Sequence, residues 1–294
     1  MSEELTRQWL DRHAVELARA YALPDWTSRT YDIWEDASRG EQVLYFGGDR
    51  EPKRTATGGR RTPSQVSVLY LHGGGFVRRP TPDHLRFCGK LANELWVPLV
   101  MPLPRLAPAA HTFDTTDLAE DLYRDLVGRG RRVVLMGDGA GAGVALGVLC
   151  RLVEHELPQP LRTVLISPWW DLTLSDPGLP AREVLDDRLA LAGLHVLARA
   201  WAGDLDLDDC YVSPLLYGDD RLAMLHDVTI VAGERDLLLP DATRLDQRLS
   251  GLGVPHDLIK LNARGGPGGG VLADADFRTG LVRSIREAEC PRLG

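Results

Sequence analysis

The sequence predicts an α/β fold: a mostly parallel sheet with helices on both faces. Three observations predict it. From residue 66 onward, short runs that are apolar at consecutive positions recur, and longer segments with helical spacing separate them. In VVLMGDGAGAGVA, residues 133–145, an apolar run passes through a burst of glycines into small helix-forming residues. Strands without a polar face need cover on both sides, and helices between them supply the crossovers of a parallel sheet.

In order along the chain, residues 3–20 place Trp9, Leu10, Ala14, Leu17 and Ala18 on one side of a helix. Residues 26–46 alternate loosely, which predicts two antiparallel strands joined near a turn at 38–41. The polar, turn-rich stretch 48–64 reads as a surface loop. The alternation then begins. VSVLYL is followed by a helix over 83–95, PLVMPL by one over 116–128, VVLM by one over 140–155, and TVLIS by a long insertion. VTIVAG is followed by a helix over 241–252, and DLIKL by one over 275–288. The insertion, residues 171–213, carries RLALAGLHVLARAWAG and predicts one further helix. With no internal repeat and no linker between separate cores, residues 1–294 read as one domain.

Composition narrows the function. Of 294 residues, 44% are hydrophobic and 26% charged, which suits a globular core, and the net charge of −8 supplies no field to recruit nucleic acid or anionic lipid. The arginine pairs at 60–61, 78–79 and 131–132 are isolated. The N-terminal stretch is charged throughout, and no run approaches the roughly 20 apolar residues of a membrane span. Cys88, Cys150, Cys210 and Cys290 are scattered without metal-ligand spacing. Reduced thiols, no metal, no membrane or nucleic-acid partner and a cytoplasmic location are the expectations.

The most specific motif is LYLHGGGFVRRP at the end of the first buried run. Successive glycines allow close backbone approach and can point N–H groups at a carbonyl oxygen that is gaining charge. His72, Gly73, Gly74 and Gly75 are therefore candidate oxyanion or ligand-binding residues, with Asp138 and the Ala140 amide beside them. Residues 137–142 also satisfy G-x-G-x-x-A, the dinucleotide fingerprint. The next strand, however, ends in Ser167 and Pro168 rather than an acid for a ribose, and Glu154 and Glu156 sit at a helix end. No cofactor is expected.

HGGGF, then RLAPAAHTF at 105–113, GDGAG at 137–141, ISPWWDLTLSDP at 166–177 and GERDLLLPDA at 233–242 resemble, in order, the hormone-sensitive-lipase-like α/β-hydrolases, of carboxylesterase and lipase type. The resemblance covers nearly the whole chain from about residue 30. It implies an α/β-hydrolase fold with a mostly parallel eight-stranded sheet. It also implies an active site at the strands' carboxyl ends, beneath a helical cap built from residues 1–30 plus 171–213. Carried over residue by residue, the family's elbow G-D-S-A-G puts Gly139 at the nucleophile position. The acid falls on Asp236. The histidine position, counted from Gly253, falls on Gly266, and NARGGPGGG contains no histidine.

Serine hydrolysis needs an oxygen nucleophile with a base in reach. Without triad members, a hole and binding leave roughly 10³–10⁴-fold over water, short of the roughly 10⁶-fold or more usual for enzymes. Glycine tolerates positive φ, so a Ser-to-Gly exchange removes the chemistry and keeps the turn. His72, His84, His111, His195 and His256 remain as stray imidazoles. Asp138 and Asp236 are two carboxylates near the pocket floor, either of which could act as acid or base if burial raised it, and Asp236 could equally pair with a neighbour such as Arg264. Trp169, Trp170, Trp201 and Tyr211 either line an apolar cavity or pack cap against sheet.

The expectation is an esterase-derived pocket protein that binds a small, mainly apolar carbonyl-containing ligand, or runs non-hydrolytic chemistry such as a cyclase or lyase. Similar lineages include a plant hormone receptor without the catalytic histidine. The alternative is an active carboxylesterase using a substitute nucleophile. A homodimer through the last strand and helix is a further expectation, from similar proteins.

Overall fold

The computed structural model describes residues 2–17, 19–38, 40–47, 64–262 and 270–289, with the side chains of 14–17 left aside. The sequence-based readings of Ala14, Leu17 and Ala18 as helix-face residues, of the loop at 48–63, and of Arg264, Gly266 and Cys290 lie outside this description.

The chain begins with α1 (Glu3–Leu17) and α2 (Asp25–Thr30), followed by β1 (Ile33–Asp36) and β2 (Gln42–Phe46). Residues 25–30 are thus a helical turn where the alternating pattern predicted strand. Strand and helix then alternate: β3 (Val66–Leu71), α3 (Pro82–Leu95), β4 (Leu99–Leu103), α4 (Thr112–Gly128), β5 (Arg132–Asp138), α5 (Ala140–Glu154) and β6 (Arg162–Ile166). The insertion holds two helices rather than the one expected, α6 (Leu179–Glu183) and α7 (Leu191–Ala202), before α8 (Asp219–Leu222). The chain closes with β7 (Val228–Gly233), α9 (Leu239–Gly251), β8 (His256–Leu261) and α10 (Ala275–Glu289).

The strands form one eight-stranded sheet in the order β1-β2-β4-β3-β5-β6-β7-β8 among the described residues. β2 runs antiparallel to β1 and β4, and the remaining neighbours pair in parallel. Consecutive apolar residues in the central strands feed two cores. In β5, Val133 and Leu135 face α4, α5 and α9, while Val134 and Met136 face α3 and α10. Each fully buried leucine or valine contributes roughly 1.5–3 kcal/mol, which is why no polar face interrupts these runs.

α4 begins four residues before its apolar pattern does. The Asp114 carboxylate accepts the His111 amide at 2.8 Å and caps the first turn, a local bond that overrides weak helix formers at 112–116. Arg151 of α5 and Arg124 of α4 then converge on buried Glu120 at 2.8 and 2.6 Å. Burial would raise that carboxyl, but the two guanidinium groups and His155 hold it below the ordinary range.

A third, smaller core sits above the sheet's carboxyl edge. Leu10 of α1 and Val196 of α7 meet Val77, Leu106 and Ala107 from the loops after β3 and β4. The N-terminal helix and the inserted helix therefore pack together over the glycine-rich loop.

Candidate functional site

Parallel register brings four strand ends side by side. Leu71 pairs with Gly137, Asp138 with Ile166, and Ile166 with Val231. The segments that leave these ends are 72–76, Gly139, Ser167 and the loop carrying Asp236.

Gly139 forms the apex between β5 and α5, with φ 52° and ψ −120°. Its amide donates to the Ile166 carbonyl at 2.8 Å, and its carbonyl accepts the Trp169 amide at 3.0 Å. Both neighbours hold the peptide in a conformation that L side chains rarely adopt. Two residues on, a Cβ at Gly141 would run into the Leu71 carbonyl, so the first turn of α5 lies directly on β3. The elbow is built, and its apex presents no side-chain atom.

The loop after β3 departs from the expected arrangement. The Gly73 amide donates to Asp138 Oδ1 at 2.9 Å, and Tyr70 donates its hydroxyl to the same oxygen at 2.7 Å. His84 Nε2 reaches Asp138 Oδ2 at 3.1 Å. The Thr81 amide donates to His84 Nδ1 at 2.9 Å, which places the imidazole proton on Nε2, facing the carboxylate. Burial pushes Asp138 up, but His84, Tyr70 and the Gly73 amide outweigh it and hold the carboxyl below its ordinary value. For His84, burial pushes downward and Asp138 pulls upward more strongly, while the Thr81 amide resists a second ring proton.

Asp138 and Gly73 thus form an internal brace, which corrects two expectations. Asp138 is 1% exposed with its acceptors engaged, so it is neither a ligand group nor an acid–base carboxyl. The Gly73 amide is no oxyanion donor. Among the described residues the amides of Gly74, Gly75 and Ala140 have no acceptor, and of the three only Ala140 borders a cavity. The sequence reading missed Tyr70 in this brace. Its phenol hydroxyl, at the carboxyl end of the apolar run VSVLYL beside the HGGGF loop, was the available signal.

His72 donates from Nδ1 to the Gly73 carbonyl at 2.6 Å, leaving a buried Nε2 with no partner. Burial, with His84 nearby, lowers this imidazole to about 4, so it is neutral. Of the other stray imidazoles, His111 caps α4 and faces the Ala200 carbonyl at 3.2 Å. His256 opens β8 at its amino end, against Asp246 at 3.2 Å. His195, on α7, lines neither of the two cavities described below.

Asp236 is 1% exposed. Its Oδ1 accepts the Leu238 amide at 2.9 Å, and its Oδ2 has no partner. Burial pushes the carboxyl up to about 6, against the opposing pull of the Leu238 amide and of Ser167. The Ser167 hydroxyl approaches the carboxylate without closing a hydrogen bond, on a residue held at φ 43°. Among the described residues no imidazole is a partner of Asp236.

The inserted segment fixes the Asp236 loop, which sequence reasoning did not foresee. Arg182 of α6 donates Nε to the Asp236 carbonyl at 2.8 Å, and Asp186 Oδ2 accepts the Leu237 amide at 3.0 Å. Behind it, buried Asp241 is pushed up to about 8 by burial and by the neighbouring Asp171.

A cavity of about 40 Å³ opens over the first turn of α5, lined among others by His72, Phe76, Arg78, Thr115, Ala140 and Trp201. A second, of about 10 Å³, lies against Trp169 and Tyr211. Phe76, Val144 and Trp201 wall both, and Phe76 stacks on Trp201 at 4.0 Å. Trp201, Trp169 and Tyr211 therefore line space, whereas fully buried Trp170, with Gly74 and Gly75, lines neither cavity. Among the described residues no cluster of three or more His, Cys, Asp or Glu could hold a metal, and no helix is long and apolar enough to cross a membrane.

A family model described as alpha/beta hydrolase fold matches residues 68–265. An acetyl-hydrolase of Streptomyces hygroscopicus is 30% identical over 192 residues, 64% of this chain and 63% of that protein. An esterase of Acinetobacter venetianus is 26% identical over 185 residues, 62% of this chain and 60% of that protein. The aligned part thus spans less than two thirds of either relative. Among solved structures, a Staphylococcus aureus protein superposes with TM-score 0.84 at 22% identity, over 98% of this chain and 92% of that one. An esterase of the bacterial hormone-sensitive lipase family superposes with TM-score 0.73 at 21% identity, over 92% and 86%. At such identities these two likenesses concern the fold.

Proposed function

The chain belongs to the α/β-hydrolase-fold family, in its esterase and lipase branch resembling hormone-sensitive lipase, and we propose that it uses the inherited cavity without serine hydrolysis. In this reading it binds a small, mainly apolar carbonyl-containing ligand, or turns one over by non-hydrolytic chemistry of the cyclase or lyase kind. One observation carries the reading: the elbow apex is a glycine at φ 52°, so the position that should attack a carbonyl has no atom to attack with. The sequence adds that no histidine follows His256, and Gly266 stands at the family's base position.

The retained parts fit a binder. The Ala140 amide, at the cavity wall, can hold a carbonyl oxygen, and the positive end of α5 favours that charge. Asp236, its carboxyl pushed up to about 6 by burial, remains where a base would have been oriented. The cap, read as residues 1–30 plus 171–213 of a single domain, closes the cavity through Trp201 and the packing of α1 on α7. Unbridged Cys88, Cys150 and Cys210 suit the expected cytoplasmic setting. The edge strand β8, with Ile259 exposed, offers a surface for the expected homodimer.

A second reading has one observation in its favour: Ser167 lies beside Asp236, a hydroxyl next to a carboxylate, as a substitute nucleophile would require. Treating the protein with a fluorophosphonate probe and with p-nitrophenyl acetate, followed by intact-mass measurement, separates the two. The binder reading expects no covalent adduct and hydrolysis no more than about 10⁴-fold above water. An acyl or phosphonyl adduct, mapped by peptide sequencing to Ser167, would establish the hydrolase instead.

A further inference from the structure

Gly147 stands in the middle of α5, where a glycine weakens the helix relative to an alanine. Close packing does not require it. A Cβ there would meet nothing nearer than the Pro214 Cβ at 3.9 Å, an ordinary contact. Two other glycines of the helix differ: a Cβ at Gly141 would strike the Leu71 carbonyl, and one at Gly143 the Trp169 carbonyl. Gly147 and Pro214 are instead both walls of the cavity of about 10 Å³, so the missing methyl leaves that space open.

The two cavities follow one face of α5. Ala140, Gly141 and Val144 wall the larger, and Gly143, Val144 and Gly147 wall the smaller. Positions 140, 144 and 147 share a helix face and span roughly 10 Å at 1.5 Å per residue. Among the described residues Phe76, Val144 and Trp201 are the walls common to both spaces. Val144 is fixed in α5 and Trp201 is buried in the inserted helix, whereas Phe76 is only partly buried. The Phe76 ring lies 4.0 Å from Trp201 and 5.3 Å from Trp169. Its backbone is held separately, because the Phe76 carbonyl accepts the Ala107 amide at 3.0 Å, so the ring can turn while the loop stays in place. At about 40 Å³ the larger cavity alone has room for roughly three water-sized groups.

We infer that the two cavities are halves of one tunnel for an unbranched aliphatic chain, with Phe76 as its movable partition and Gly147 setting its length. The inference rests on the reading of the cavity as a ligand site and names the ligand class. That class is a straight-chain carbonyl compound of about six to eight carbons, matched to the roughly 10 Å of helix face. Its carbonyl sits at the Ala140 amide, and its tail passes Val144 to end against Gly147 and Tyr211.

The test is calorimetric titration of the full chain at pH 7 with butan-2-one and octan-2-one. Each buried methylene favours binding about fourfold, so octan-2-one should bind on the order of tenfold tighter or more, even after the Phe76 ring is displaced. Gly147→Ala should weaken octan-2-one about tenfold and leave butan-2-one unchanged. The same variant should melt no lower than the wild type, because alanine strengthens the helix and fits the space. Phe76→Leu should raise the preference for octan-2-one, since less of a partition has to move. An octan-2-one affinity untouched by Gly147→Ala, an equal loss for both ketones, or a variant that melts below the wild type overturns the tunnel and leaves the cavity reading standing. Binding of neither ketone by the wild type overturns both.

Discussion

The Gly73 amide donates to Asp138 Oδ1 at 2.9 Å, so the first glycine of the HGGGF loop is tied inward to the strand that precedes the elbow. This one bond aligns the two loops that flank the cavity. It also explains why a glycine-rich loop can stay rigid beneath a cap: Gly74 and Gly75 take φ of 127° and 62°, while Gly73 anchors them.

Replacing Asp138 by Asn therefore removes more than a charge. The Nδ2 amide would meet the His84 Nε2–H, and the Thr81 amide prevents the ring from moving its proton to Nδ1. A loss of about 2–4 kcal/mol is expected, measured by urea unfolding at pH 7. The pH dependence has a definite sign. The folded carboxyl lies below the ordinary 3.8, so its contribution is present above that value and disappears as pH falls through the lower folded value. Asp138→Asn should lack that part of the acid limb, and an unchanged acid limb in the variant would refute the brace.

Gly139→Ser restores the family's attacking oxygen without its base. The apex conformation makes the side chain cost about 1–3 kcal/mol, and p-nitrophenyl acetate hydrolysis should rise less than about tenfold, since the hydroxyl has no proton acceptor aligned with it. Adding Gly266→His should raise the rate by a further 10² or so. A large gain from the serine alone would mean that another residue already serves as base.

The sheet was legible because its evidence is repeated: the central strands are mostly apolar at consecutive positions, and all but TVLIS, which leads into the insertion, are followed directly by a helix-spaced segment. The elbow was legible from GDGAG, because few residues tolerate that apex. What escaped the sequence depends on single contacts between distant segments. Arg182 reaches the Asp236 carbonyl across 54 positions, and nothing in LPARE distinguishes that arginine from a solvated one. The role of Asp138 was misread for the same reason, since its partners Tyr70 and His84 come from two other elements. Helix α2 was missed because six residues are too few to display a period.

Asp241 makes a second prediction about pH. Its folded value, about 8, lies above the ordinary 3.8 because burial and Asp171 disfavour its charge. A raised folded value gives stability that is complete below the unfolded value and is lost as pH rises through the folded one. Asp236, at about 6, adds in the same direction over the lower part of that window. The melting temperature should therefore decline between pH 4 and 8. Asp241→Asn, which cannot ionise, should flatten the upper part and exceed the wild type at pH 8.5 by on the order of 2–4 kcal/mol. Parallel melting profiles for the two proteins would show that Asp241 ionises freely in the folded state.

Trp201 tests the wall between the two cavities. Its indole is 4% exposed, stacks on Phe76 at an interplanar angle of 11°, and borders both spaces. Phe76 is itself held at φ 65°, a conformation costly for a bulky side chain, so the stack is one of the contacts that keeps it there. Trp201→Ala removes that support and merges spaces of about 40 and 10 Å³ with the volume of the lost ring. A destabilisation of about 3–5 kcal/mol is expected by guanidinium unfolding. The enlarged space should shift binding from butan-2-one toward octan-2-one, read by titration calorimetry. An unchanged ratio of the two ketones, with the stability loss as stated, would place the ligand's carbon chain away from Trp201.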